Sequence, residues 1–162
     1  MQQLFEEGKK KSIAKHKTFK LSVSMIVKNE ERYLPQCLDS IKDFVDEIII
    51  TDTGSVDKSK EICSKYTDKL YDYKWDDSFA NARNNSLSKC TGDWVISLDA
   101  DEVIPTGTFL YIYDLILNGI GDAYIFPIRN LMQDGSYSIS TTTRLFKNKP
   151  FVRFKGRVHA TV

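Results

Sequence analysis

Asp99, Ala100, Asp101 and Glu102 follow directly on the apolar run Trp94 to Leu98, so three carboxylates arrive within four residues at the end of a segment patterned as a buried β-strand. A strand that stops in acidic residues delivers fixed oxygens to the rim of a sheet, where a divalent cation and a phosphate can meet. Extended backbone would turn Asp99 and Asp101 to one side and Ala100 to the other, letting both carboxylates serve one cation or one cation-bound ligand. Oxygen-only ligation favours magnesium or manganese over zinc. The competing reading is a strand followed by an acidic helix N-terminus, where Asp and Glu favour the dipole.

The elements that must position these residues alternate. Leu21 to Val27 is patterned as a strand, and Leu34, Cys37, Leu38, Ile41 and Phe44 then recur at helical spacing. Glu47 to Thr51 is an Ile-rich strand, Thr53-Gly54-Ser55 a turn with Ser55 as helix N-cap, and Val56 to Tyr66 a helix. A strand near Lys69 to Tyr73, a helix near Ser78 to Ser88 and the strand Trp94 to Leu98 complete the rhythm, which predicts a mostly parallel sheet with helices on both faces. Beyond Pro105 the pattern predicts a helix over Phe109 to Leu117 and an added mixed or antiparallel section with strands at Ala123 to Arg129, Ser138 to Phe146 and Phe151 to Phe154.

In such a sheet, ligands bind outside the carboxyl ends of the strands. Three of those ends are polar in a related way: Lys28-Asn29-Glu30-Glu31, Thr51-Asp52-Thr53-Gly54-Ser55 and Asp99-Ala100-Asp101-Glu102. Each alone is open to a plainer reading, since Asp52 before a Gly turn can simply cap it.

Composition sets the bounds. With 162 residues, 41% of them hydrophobic, and a formal charge of +1, the chain fits one globular domain and gives no sign of a nucleic-acid partner. Residues 1–20 form a basic leader carrying Lys9, Lys10, Lys11, Lys15, Lys17 and Lys20, a segment that reads as a solvated leader and is also suited to peripheral contact with an anionic lipid or polymer. No apolar run long enough for a membrane span or a secretion signal appears, and the three cysteines, Cys37, Cys63 and Cys90, lack a CxxC pair, which fits reduced core residues of a cytoplasmic protein.

Taken together, Ser24 to Glu31, Asp52 to Asp57 and Asp99 to Glu102 resemble the family 2 glycosyltransferases of the GT-A fold over roughly residues 21–160. The resemblance implies transfer of a sugar, with inversion, from a nucleotide sugar (a UDP-sugar first, a hexose first) to a glycan, lipid-carrier or peptide acceptor, with Mn2+ or Mg2+ as cofactor. It implies that Val27, Asn29 and Glu30 line the nucleotide pocket and that Asp52 holds the base or ribose. It implies too that Asp99, with Ala100 beside it, lies near the ribose and that Asp101 binds the cation. The helix opening Phe79-Ala80-Asn81-Ala82-Arg83-Asn84 matches a segment in which the family places an arginine and asparagine facing the donor. Arg144-Leu145-Phe146 and Gly156-Arg157-Val158-His159 are similar to the closing motif of the branch with a Lys-Asn-Glu-Glu start, and His159 would complete the metal site.

The chain departs from that branch at Ala160, where relatives carry Glu. An inverting transfer needs a base within hydrogen-bond reach of the acceptor. Glu102 and Asp134 are the candidates, together with residues beyond Val162, since the domain spanning 21–162 is expected to be cut at its C-terminal end. Two rivals follow: a degenerate or truncated domain that binds a nucleotide without turnover, and a phosphotransferase of the haloacid dehalogenase type. The latter places its Asp-x-Asp on the first strand rather than the fourth.

Overall fold

The structure, a computed structural model, describes residues 18–158 and 161–162. Strand β1 (Leu21–Val27) is followed by α1 (Leu34–Ile41), β2 (Glu47–Asp52), α2 (Ser59–Cys63), β3 (Leu70–Asp72), α3 (Phe79–Leu87) and β4 (Trp94–Ser97). Helix α4 (Thr108–Asn118) then leads into β5 (Ala123–Leu131) and β6 (Tyr137–Lys147). One six-stranded sheet results, in the order β3-β2-β1-β4-β6-β5. The first four strands are parallel, β6 enters antiparallel beside β4, and β5 pairs antiparallel with β6. The expected mixed α/β sheet is therefore present.

Alternation in β1 explains the layering. Leu21, Val23, Met25 and Val27 join Leu34, Cys37, Leu38 and Ile41 of α1 and Phe109, Ile112 and Tyr113 of α4 in the main core. The small Ser22 and Ser24 occupy the other face, where α3 packs on β1 and β2. Ser24 Oγ donates to Ser86 Oγ at 2.9 Å, and Ser86 Oγ to the Met25 carbonyl at 3.2 Å, so close approach of the helix leaves neither hydroxyl unsatisfied. A second core joins Ala80 and Leu87 of α3 to Val95, Phe146 and Phe154.

The sheet edge opposite the candidate site is held by Glu47, 6% exposed. Its Oε1 accepts from Ser22 Oγ at 2.5 Å, Thr91 N–H at 2.5 Å and Gly92 N–H at 3.1 Å. Its Oε2 accepts from Thr91 Oγ1 at 2.9 Å and Lys69 Nζ at 2.5 Å. Burial raises a carboxyl pKa, but these donors outweigh it and bring Glu47 down to about 2. Gly92 is required here because a Cβ would meet Ser22 Oγ at 2.5 Å and the Lys20 carbonyl at 2.8 Å.

Several expected boundaries move. The helix predicted over Val56 to Tyr66 shrinks to Ser59–Cys63, and Ser55 is not its cap; Ser55 Oγ instead accepts from Asn29 N–H at 2.9 Å. Phe151 to Phe154 is not a strand, and among the described residues the neighbouring chain makes a single bridge, between Lys155 and Thr161. Strands β5 and β6 are longer than predicted because they extend as a hairpin past the end of β4; Gly135 at φ 83° and Asp134, accepting from Ser136 N–H at 2.9 Å, shape its turn. Cys37, Cys63 and Cys90 are free thiols. Among the described residues no helix is long and apolar enough to cross a membrane. Apart from its last residues, the basic leader lies outside the described residues.

Candidate functional site

Two loops at the carboxyl ends of β1 and β2 are laced into one unit. Asn29, at φ 56°, adopts the left-handed conformation that Asn tolerates better than most residues, and its Oδ1 accepts from Val56 N–H at 2.8 Å. Glu30 N–H donates to Ser59 Oγ at 2.7 Å, Glu31 N–H to Asp57 Oδ2 at 3.1 Å, and Lys58 N–H to Glu31 Oε2 at 2.9 Å. Thr53 closes the seam, its N–H donating to the Val27 carbonyl at 2.9 Å. Val27 takes part through this carbonyl; its side chain, 2% exposed, is in the main core.

Asp52, 2% exposed, divides its carboxylate between two tasks. Oδ1 caps the turn, accepting from Gly54 and Ser55 N–H at 2.9 Å each. Oδ2 is buried and has no hydrogen-bond partner among the described residues. The plain capping role and a spare acceptor thus coexist in one side chain. A buried carboxylate oxygen without a donor is costly, and a ligand N–H or O–H would remove that cost.

The segment after β4 is not extended. Glu102 N–H donates to the Asp99 carbonyl at 3.0 Å and Asp99 N–H to Glu102 Oε2 at 3.1 Å, which folds Asp99–Glu102 into a tight turn. Asp99 and Asp101 consequently do not share one side, contrary to the extended reading. Asp99 turns inward: Arg83 of α3 contacts its Oδ1 at 2.5 Å and Arg144 of β6 its Oδ2 at 2.8 Å. Arg83 also donates to Ser97 Oγ at 3.2 Å. Arg144 further binds Glu102 Oε1. Ala100 is 5% exposed and its side chain packs in the main core, where it anchors the turn. Asp101 sits at the exposed tip and makes no hydrogen bond or ion pair with any described residue.

Arg144 reaches this turn through a bulge. Tyr124 pairs with Leu145 and Ile125 with Thr143, so Arg144 is skipped in the β5 register. An extra residue of this kind re-aims its side chain. Asn84 supplies a second tie, its amide bonding both the N–H (2.8 Å) and the carbonyl (2.9 Å) of Phe154 and fastening the C-terminal segment to α3. Spacing carried no signal for either role.

Negative charge accumulates at this edge. Burial would raise Asp99, yet the two guanidinium groups outweigh it and hold its carboxyl below the usual range. Glu102 is pushed up, because burial exceeds what Arg144 returns. Glu30 is raised by burial and then by Asp101, Asp57 and Asp99. Among the described residues no set of three or more His, Cys, Asp or Glu encloses a metal. Magnesium and its kin, however, commonly take one or two protein carboxylates plus substrate phosphates, so the outward Asp101 beside an edge with excess negative charge fits a cation that arrives with a diphosphate. His159 and Ala160 lie outside the described residues. Of the two candidate bases, Glu102 has both oxygens engaged, and Asp134 lies in the β5–β6 turn, bonded to Ser136.

A parallel sheet flanked by helices, with Asp52 and the Asp99–Glu102 turn at its carboxyl edge and an antiparallel hairpin appended, is the GT-A architecture of nucleotide-sugar enzymes. Solved structures agree. The chain superimposes on Staphylococcus aureus TarS 1-349 in complex with UDP with a TM-score of 0.58 and 25% identity, covering 64% of this chain and 34% of that one. It matches the glucosyl-3-phosphoglycerate synthase of Mycobacterium tuberculosis in complex with Mn2+ and UDP-glucose at 0.57 and 23%, covering 74% and 45%. Residues 22–159 match the model of the glycosyl transferase family 2, and the chain belongs to that family. Among curated relatives, a TPR repeat-containing protein of Synechococcus elongatus is 37% identical over 142 residues, 88% of this chain and 35% of that protein. The SPbeta prophage-derived glycosyltransferase SunS of Bacillus subtilis is 29% identical over 144 residues, 86% of this chain and 34% of that protein. The chain thus spans about a third of the length of these two relatives.

Proposed function

We propose that this domain is the donor-binding part of a metal-dependent, inverting glycosyltransferase that takes a UDP-hexose and passes the sugar to a glycan, lipid-carrier or peptide acceptor. The observation that carries the reading is the pairing, at one sheet edge, of a buried spare acceptor at Asp52 Oδ2 with an unpaired outward carboxylate at Asp101. Solved neighbours bound to UDP and to Mn2+ with UDP-glucose support the choice of nucleotide and cation.

In this reading Asp52 Oδ2 accepts a hydrogen bond from the base or ribose, and the Asn29–Glu31 and Thr53–Ser59 loops, already bonded to each other, give a rigid wall at little cost in ordering. Asp101 holds the divalent cation, Mn2+ or Mg2+, which when bound neutralises charge that develops on the leaving diphosphate. Arg83 keeps Asp99 ionised and turned inward, so Asp101 alone of the pair faces the ligand. Peripheral membrane contact through the basic leader and a cytoplasmic location belong to the same reading.

A second reading, donor binding without turnover, is supported by the engagement of both Glu102 oxygens, which leaves the acceptor base unassigned. Thermal melting with UDP, GDP, ADP and CDP, each with Mn2+ or a chelator, tests the first reading, because a ligand that binds only the folded state raises the melting point by mass action. UDP with Mn2+ is expected to give the largest rise. Equal rises with and without Mn2+ contradict the metal role, and no rise with any nucleotide contradicts the function. Release of sugar from a UDP-hexose then separates turnover from binding alone.

A further inference from the structure

We propose that Arg144 is a positioning residue that locks the Asp99–Glu102 turn in the conformation presenting Asp101 outward. The inference rests on the donor-binding reading above and extends it to a residue on another element. Arg144 is 15% exposed at its side chain and contacts both carboxylates that flank Asp101 in sequence: Asp99 Oδ2 at 2.8 Å and Glu102 Oε1. Its place in a bulge takes it out of register with β5 and frees its side chain for the turn. Its Nε is buried with no hydrogen-bond partner among the described residues, so the side chain leaves one donor unsatisfied while its Nη2 makes the clamp.

No other group among the described residues bonds both carboxylates. Arg83 approaches Asp99 from α3, is bonded to Ser97 and lies over the Phe154 ring, 5.6 Å from its centroid. Nothing else among the described residues bonds Glu102 Oε1. Without Arg144, two partly buried carboxylates would face each other across a four-residue turn, and their repulsion would open it. Asp101, at the tip, would then lose its fixed position, although it touches neither arginine.

Calorimetric titration of UDP with and without Mn2+, alongside UMP without metal, tests this on Arg144→Met, Arg144→Lys and the double variant Arg144→Met/Glu102→Gln. Arg144→Met should keep UMP affinity within about twofold but lose about 10- to 100-fold in the Mn2+-dependent part of UDP affinity, the size usual for groups that orient a metal ligand. Arg144→Lys should recover part of that loss. The double variant removes the unpaired charge, so it should melt closer to wild type while keeping the binding defect; it decides the matter if the single variant does not fold. Unchanged Mn2+-dependent affinity in Arg144→Met or the double variant would overturn the assignment, as would an equal loss for UMP and UDP. Absence of Mn2+-dependent UDP binding in the wild type is a different failure, overturning the donor reading and this inference with it.

Discussion

Replacing Glu47 by Gln probes the physical account of the fold far from the candidate site. The carboxylate accepts five hydrogen bonds from Ser22, Thr91, Gly92 and Lys69, and its side chain is 2% exposed. Gln keeps the shape but sets an NH2 against donors and leaves Lys69 unpaired, so stability at neutral pH should fall by about 3–5 kcal/mol, the usual cost of breaking a buried pair. Part of that loss is linked to protons. The folded-state pKa, about 2 against an ordinary 4.5, lies below the unfolded value. The linked stability, about 3 kcal/mol, is therefore fully present above about pH 4.5 and lost as pH falls through about 2. Urea denaturation followed by circular dichroism at a series of pH values from 7 down to 2 reads this directly. The gap between wild type and Glu47→Gln should narrow below about pH 4.5, because the wild-type carboxyl protonates as well. A gap that stays constant over the series, or a Gln variant as stable as wild type at pH 7, would refute the claim that ionised Glu47 holds this edge.

Gly92→Ala should destabilise by about 1–3 kcal/mol in the same denaturation assay, since its Cβ meets not only the Ser22 hydroxyl but also the Lys20 carbonyl and the Ser22 backbone nitrogen, which cannot swing aside. Asp52→Asn should weaken UMP and UDP alike by about 1.5–3 kcal/mol in calorimetry, the range for a lost hydrogen bond to a charged group, while leaving metal dependence intact. Asn84→Ala removes both bonds to the Phe154 backbone, and hydrogen exchange at the Phe154 amide should speed up well beyond any change in the β1 amides.

The parallel half of the fold was legible because its strands and helices are periodic. Leu21 to Val27 forms the strand its alternation predicts, and Leu34, Cys37, Leu38 and Ile41 of the predicted helical spacing lie in α1, which ends before Phe44. The expected helix from Val56 failed because Asn29, Glu31, Asp57 and Ser59 bond the loop to its neighbour and delay the first helical turn to Ser59. That lacing joins residues nearly thirty positions apart, and periodicity within one segment cannot register it. At the site, the polar strand ends singled out Asp52, Asp99 and Asp101, and the family resemblance added Arg83. Sequence pattern missed the turn that separates Asp99 from Asp101, because a β-turn is set by the Glu102 carboxylate reaching back to Asp99 N–H and by Arg144 from a strand 42 positions away in sequence. Val27 and Ala100 were placed by motif rather than by side chain; burial assigns both to the core.

In the proposed reading Asp101 is the cation-holding carboxylate of a nucleotide-sugar site. Calorimetric titration of UDP into the wild type and into Asp101→Asn, each with Mn2+ and with a chelator, tests it most directly. Asn keeps the size of the side chain and removes one charge from an edge where Glu30 is raised partly by Asp101. The unliganded melting point should therefore hold or rise slightly, the affinity for UDP in chelator should match wild type, and the gain in affinity on adding Mn2+ should disappear. A Mn2+-dependent gain in Asp101→Asn equal to that of the wild type would show that Asp101 does not hold the cation.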